Sequence, residues 1–430
     1  MIVLGWMFYL IASPGSLPFL VGVTVFTYMV GLGLEKKRSK FLLCVGTGVL
    51  LALLIFFKYG YVVFGTDPLM PLGLSYYTFM TIGYMIDVYR GDIEAEKDLI
   101  NYFLFVGFFP QVTAGPIGRA KDLLLQYEKK IKPSPEDMML GFTMIITGVM
   151  QKFIVADNIR LFSDGFLGGD TETFSVICGT ICYSLVIYFD FAGYSLIAIG
   201  TARVFGIKLM ENFKEPFFAT SIKDFWRRWH ISLSSWFRDY LYIPLGGNKK
   251  GVLRRDINTL IVFILSGAWH GSGAGFYIWG LLHGIYLVAE NHINIFKDKT
   301  NEEKGVKKHL KRLVVFIMVS FAWIPFYAGS FERTGDILGA LIRPDTGIFF
   351  NIIRQCMDVG AATLIVTFIC LLISVVISVY QVRSDHMLYE KISKHGVCVL
   401  FMAVSVFILT VLAGVYGSGY DASVFIYGGF

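Results

Sequence analysis

Charge is what this chain lacks most. Only 16% of its 430 residues are charged, 38 Lys and Arg against 32 Asp and Glu, whereas a soluble globular chain carries about 25%. Little is left to cover a solvated domain. A nucleic-acid function needs a basic face clustered on such a domain, and none is visible. Cysteine is also scarce. Cys44, Cys178, Cys182, Cys356, Cys370 and Cys398 lie mostly within apolar runs, with no CxxC pair. They read as small buried apolar side chains and give no metal site. GxxxxGK[ST], HExxH and GxSxG are absent, which leaves ATP-driven transport, zinc proteolysis and the serine-hydrolase elbow without support. There is no internal repeat of the kind that builds many transporters. The first apolar run, 1–12, has no basic leader, so no cleavable signal is expected.

What the chain does have is apolar and aromatic surface: 55% hydrophobic residues and 16% aromatic, with 39 Phe and 23 Tyr. About 20 mostly apolar residues span a bilayer. Apolar runs lie at 17–34, 41–65, 137–156, 172–206, 257–292, 311–329, 357–381 and 395–417. The run 172–206 contains Asp190 and 257–292 is rich in Gly, so each is open to division into two segments. Shorter runs at 1–12, 71–88 and 101–118 are interrupted by Pro or Gly, as in re-entrant pieces covered by protein. The expected fold is all-α: a polytopic membrane protein of roughly ten or more transmembrane or re-entrant helices, one membrane domain over 1–430. The net charge of +6 fits a positive-inside bias. Basic clusters at 36–40, 129–132, 249–255 and 304–312 should then face the cytoplasm, and the Lys- and Arg-free tail after Gly414 the outside.

Three of the seven His lie in membrane-like sequence: His230, His270 and His283. An ionisable residue at membrane depth is costly and is a functional-site candidate by default. His270 sits in a small-residue stretch, LSGAWHGSGAG, where helices or a substrate can approach the backbone closely. It fits a proton acceptor near neutral pH and equally a packing residue bonded to a neighbouring helix. His230 lies in 221–240, where Trp226, Trp229, Leu233, Trp236 and Tyr240 recur at three- and four-residue steps. That pattern predicts an amphipathic helix at the interface, its Trp at headgroup depth and its Arg in water. Asp190 needs a partner at its depth, with Arg203, His230 or a water-lined cavity as candidates. The breaks around Pro110-Gln111 and Pro71-Leu72-Gly73 fit ligand-site backbone and simple kinks alike.

Five stretches resemble the membrane-bound O-acyltransferase family, specifically its bacterial alginate O-acetyltransferase-like branch. They are PLGLSYYTFMTIGYMIDVYRG (71–91), FFPQVTAGPIGR (108–119), YFDFAGYSLIAIG (188–200) with ENFKEPF (211–217), DFWRRWHISLSSWFRDYLYIPLGGN (224–248) and SGAWHGSGAGFYIWGLLHG (266–284). In order they cover most of 70–290, the motif core. The resemblance implies a ring of helices around a thin centre, with funnels from both faces. It implies acyl transfer, most simply of acetyl, from a cytoplasmic thioester on coenzyme A or a carrier protein. The group would cross to a cell-surface polysaccharide, with an extracytoplasmic SGNH-type transferase or esterase as partner and the bacterial cytoplasmic membrane as location. His270 matches the family's near-invariant catalytic His and His230 its second. Asp190, Arg238 and Trp269 are candidates for supporting roles. No donor-binding residue is assigned, although the 249–255 loop with Arg227 and Arg228 suits an anionic donor as well as topology. No bound cofactor or metal is expected. The C-terminal Phe425, Tyr427 and Phe430 match an F-x-Y-x-x-F ending found in the family, which would make Tyr427 an acyl relay; an interfacial aromatic anchor is the simpler reading. The resemblance also implies another span or so before the position where this chain starts. D-alanyl transfer to teichoic acids is the alternative within the family. A proton-coupled transporter or a scaffold of an export complex is the alternative outside it.

Overall fold

In the computed structural model, residues 1–415 are described apart from 67, 114, 130–131, 170–171, 294–304, 344–355, 358 and 385–386. The regular structure among the described residues is helical throughout. The helices that matter for the site are α1 (Ile2–Ala12), α2 (Leu17–Lys36), α3 (Lys40–Phe64), α4 (Leu74–Arg90), α5 (Leu99–Gly107), α6 (Phe109–Val112), α7 (Ala120–Glu128), α8 (Pro135–Val149) and α9 (Asp157–Leu167). They continue with α10 (Thr173–Val204), α11 (Ile222–Arg228), α12 (Ile231–Phe237), α13 (Val252–His270), α14 (Ala274–His292), α15 (Val306–Ala328), α16 (Phe331–Ala340), α17 (Ala361–Ser384) and α18 (Gly396–Ala413).

Among the described residues, seven segments are long and apolar enough to cross a bilayer: Pro14–Lys36, α3, Pro135–Leu167, α10, α15, α17 and α18. Their outward residues stay apolar, as with Phe41, Ile55, Phe368 and Phe407, a surface that water would not tolerate over this area. The protein is a multi-pass membrane protein. α10 is central, with 67% of its most apolar window buried, against 17% for α3 and α18. The polar helix α4 lies among the others, with 14 of its 17 residues buried.

Glycine sets two of the closest crossings. Gly141 and Gly148 on α8 face Gly200 and Gly193 on α10. A Cβ on Gly141 would stand 2.6 Å from the Gly200 carbonyl oxygen, and one on Gly148 would stand 2.5 Å from that of Gly193. Gly267 and Gly280 do the same for α13 and α14, each against a carbonyl of the other helix. Small residues stand in for a hydrophobic driving force that lipid does not supply.

The structure corrects several expectations. The run 172–206 is one unbroken helix of 32 residues, whereas 257–292 does divide, at 271–273 between α13 and α14. The run 71–88 breaks only at its start and continues as the single helix α4. The predicted interfacial helix at 221–240 is instead two short helices, α11 and α12, folded into the interior. Trp229 and Trp236 are 1% and 7% exposed, because they pack on Phe225 and Phe79 and not at headgroup depth. Basic loops gather on one face: Arg90 donates to the Asp239 carbonyl at 3.3 Å, Arg312 to that of Phe218 at 3.1 Å, and Arg38 abuts Gly91. This face is the expected cytoplasmic side.

Candidate active site

α13 runs inward from the basic face for about 28 Å at 1.5 Å per residue and ends at His270, which is 2% exposed. Its ring meets three others: Trp269 at 4.8 Å, Trp279 at 5.1 Å and Phe326 at 5.3 Å between centroids. Trp269 lies on Phe79 of α4 and is met edge-on by Tyr76. His230 also meets it, its ring centroid 6.3 Å from that of Trp269. The two His that the sequence placed forty residues apart thus converge on one indole. Trp269 Nε1 is buried and has no acceptor among the described residues.

His230 occupies the break between α11 and α12 in the left-handed conformation, φ 41°, which costs a side chain about 1–2 kcal/mol. Hydrogen bonds from the next two residues hold it there. Ile231 N–H donates to the Asn212 carbonyl at 3.0 Å, and Ser232 Oγ donates to Asn212 Oδ1 at 2.6 Å. Asn212 Nδ2 in turn reaches Ser195 of α10 at 3.1 Å, and Ile117 N–H donates to Ser232 Oγ at 3.0 Å. Three of the five motif stretches meet at Asn212 and Ser232. Neither was singled out from sequence, since a small polar residue carries no signal of its own until its partners are known. We expect His230→Gly to be more stable than His230→Ala by about 1 kcal/mol, with the same loss of activity in both. Thermal unfolding in detergent beside turnover checks this, and equal stability would mean that the left-handed turn is not retained.

A cavity of about 520 Å³ opens from the basic face. Thr259, Val262, Phe263 and Ser266 line it along one stripe of α13, and His270 is the next residue of that stripe, four beyond Ser266. Trp226, Ile231 and Ser234 form the opposing wall, and the exposed Lys223, Arg227 and Arg238 stand at its mouth. A more polar recess of about 500 Å³ adjoins it, sharing Lys223, Tyr242, Thr259 and Leu287 and adding Arg255. His283 lies behind this wall, its Nδ1 accepting from Trp226 Nε1 at 3.3 Å.

Three of the predicted supporting residues are placed differently from one another. Trp269 is in ring contact with both His. Arg238 is at the mouth, paired with Asp239 at 2.8 Å, well away from the His pair along α12. Asp190 is fully buried, and two cations meet it. Lys152 Nζ contacts it at 2.7 Å and Arg160 at 3.2 Å, while Arg203 pairs with Asp137. Lys152 also meets Asp157 at 2.7 Å. Residues 150–156 form a widened helical turn with i→i+5 bonding, which brings residues five apart to one side. Phe425, Tyr427 and Phe430 lie outside the described residues. Among the described residues no cluster of His, Cys, Asp or Glu has the makings of a metal site.

The family model of the membrane-bound O-acyltransferase family matches residues 171–324, which contain both His. The chain is 35% identical over 394 residues to the probable alginate O-acetylase AlgI of Pseudomonas putida, covering 86% of this chain and 80% of that protein. The chain belongs to the membrane-bound O-acyltransferase family. This acyltransferase is also 33% identical over 385 residues to the peptidoglycan O-acetyltransferase of Helicobacter pylori, covering 78% of this chain and 72% of that one. To the teichoic acid D-alanyltransferase of Bacillus subtilis it is 32% identical over 269 residues, 59% of this chain and 67% of the other. It is an enzyme that transfers acyl groups to oxygen, and its buried indole–imidazole centre has to be read in those terms.

Proposed function

We propose that this acyltransferase takes an acetyl group from a cytoplasmic thioester and passes it outward for O-acetylation of a cell-surface polysaccharide. The observation that carries the reading is the cavity, cationic at its mouth and largely apolar within, that follows one stripe of α13 towards His270. A thioester with an anionic head and a thin arm suits that shape. Support for acetyl comes from the acetylating relatives, which match 64–86% of the chain, against 58–59% for the D-alanylating ones. An extracytoplasmic SGNH-type protein would complete the transfer, and the bacterial cytoplasmic membrane is the location that joins a cytoplasmic donor to an outer acceptor.

In this reading the neutral His270 takes the proton of the acceptor hydroxyl as its oxygen attacks the thioester carbonyl. Trp269 Nε1 donates to the oxygen on which negative charge develops. When the C–S bond breaks, the thiolate takes the proton from the imidazolium, so an ester and a free thiol leave with no net proton change. His230, also against Trp269, orients the reacting groups. Burial keeps water from competing for the thioester.

Neutralising the mouth tests donor entry. Lys223→Ala with Arg227→Ala should raise donor KM about tenfold, the worth of roughly 1.4 kcal/mol, weaken its salt dependence and leave kcat nearly unchanged. The assay is thioester consumption by purified protein in detergent, with an acetyl and a D-alanyl donor in parallel. If donor kinetics do not move, these cations serve membrane orientation alone. A preference for the D-alanyl thioester would replace the acetyl reading.

A further inference from the structure

One face of α3 turns inward as a stripe of every fourth residue. Gly46, Leu50 and Leu54 are buried on it, and the next position is Lys58. A lysine inside a 25-residue apolar helix is a functional candidate because of what it costs there. Its Nζ donates to the carbonyl of Trp269 and lies 5.1 Å from the centroid of that ring. The adjacent Tyr59 reaches the same place. Its hydroxyl donates to the Ala268 carbonyl at 2.6 Å, and it stands 3.3 Å from the Gly271 carbonyl and 2.9 Å from the Tyr277 hydroxyl.

The last carbonyls of a helix have no partner within it. The usual remedy, a left-handed glycine just past the end, is not used here: Gly271 is extended, φ 176° and ψ 172°. Two consecutive residues of a peripheral helix instead hold the carbonyls of 268, 269 and 271, on both sides of His270. A hydroxyl would suffice to satisfy a carbonyl. A cation does more, since it also favours the negative end of the α13 dipole and grips the ring against which both His stand.

We propose that Lys58 is a positioning residue for His270, acting through the Trp269 carbonyl and ring to hold the end of α13 in the orientation that acyl transfer requires. The inference rests on His270 being the base of the reaction proposed above. Displacing a reacting group by about 1 Å can cost 10²-fold, and a loosened helix end would do so without touching the donor cavity.

The test uses the purified full chain and thioester turnover. Lys58→Met, close in length and tolerant in packing, should lower kcat by about 30-fold or more, with donor KM and melting temperature nearly unchanged. Lys58→Arg, which keeps the cation, should recover part of kcat, and Tyr59→Phe should cost less than Lys58→Met. Wild-type kcat in Lys58→Met overturns the proposal. So does a raised KM with unchanged kcat, which would make Lys58 a donor contact, or a loss that only tracks the unfolded fraction. The two readings fail separately: an inactive His270→Ala beside a fully active Lys58→Met removes the positioning role alone, whereas a fully active His270→Ala removes the base and the positioning role together.

Discussion

His270→Ala should lose acyl transfer by about 10²–10⁴-fold, the usual worth of a positioned general base, while the protein still folds and inserts. The expectation follows from where the imidazole sits. It ends the helix whose stripe lines the cavity, 2% exposed, with Trp269, Trp279 and Phe326 around it. Removing a buried ring also loosens packing, so His270→Asn, which refills part of the space, is the companion variant. It should be as inactive as the Ala variant and closer to wild type in melting temperature. Turnover of a thioester donor by each purified variant checks both points. A folded His270→Asn protein with normal kcat would remove the base assignment.

Lys152→Met should destabilise the fold by about 3–5 kcal/mol, because breaking a buried ion pair from one side leaves uncompensated charge. Lys152 lies between Asp157 and Asp190 at 2.7 Å from each, and side-chain exposure is 6% or less for all three. Arg160 adds a second cation on Asp190 at 3.2 Å. Asp190→Asn added to Lys152→Met removes one stranded carboxylate and should recover part of the lost stability. Thermal unfolding in detergent measures both. Because these groups brace α8, α9 and α10 against one another, the molecules that do fold should keep the wild-type kcat. A stable Asp190→Asn protein with no turnover would return Asp190 to the mechanism.

These two sites show what a single sequence conveys and what it leaves out. The apolar runs gave the long helices because length and hydropathy are local properties, and the Gly-rich 271–273 marked the turn at which α13 ends. His270 was legible because an ionisable residue among small and apolar neighbours is conspicuous. The segment 221–240 was misread because Trp and Arg at helical spacing suit an interfacial helix as well as one turned inward. What decides between them is Asn212, twenty residues upstream, which holds Ile231 and Ser232 and forces the break at His230. Asp190 was correctly read as needing a partner, but that partner lies on another helix, in a widened turn that periodicity does not reveal. Lys58 stood in plain view as a lone cation in an apolar run; its contact with Trp269 spans 211 residues of chain.

The most direct test of the account is mass analysis of surface-polysaccharide acetylation in cells that make the wild-type protein, the His270→Ala variant or neither. The account predicts O-acetyl groups on the polymer only with the wild-type protein, and their loss to the same level in the other two. Full acetylation with His270→Ala would contradict the proposed chemistry, and unchanged acetylation without the protein would contradict the proposed function itself.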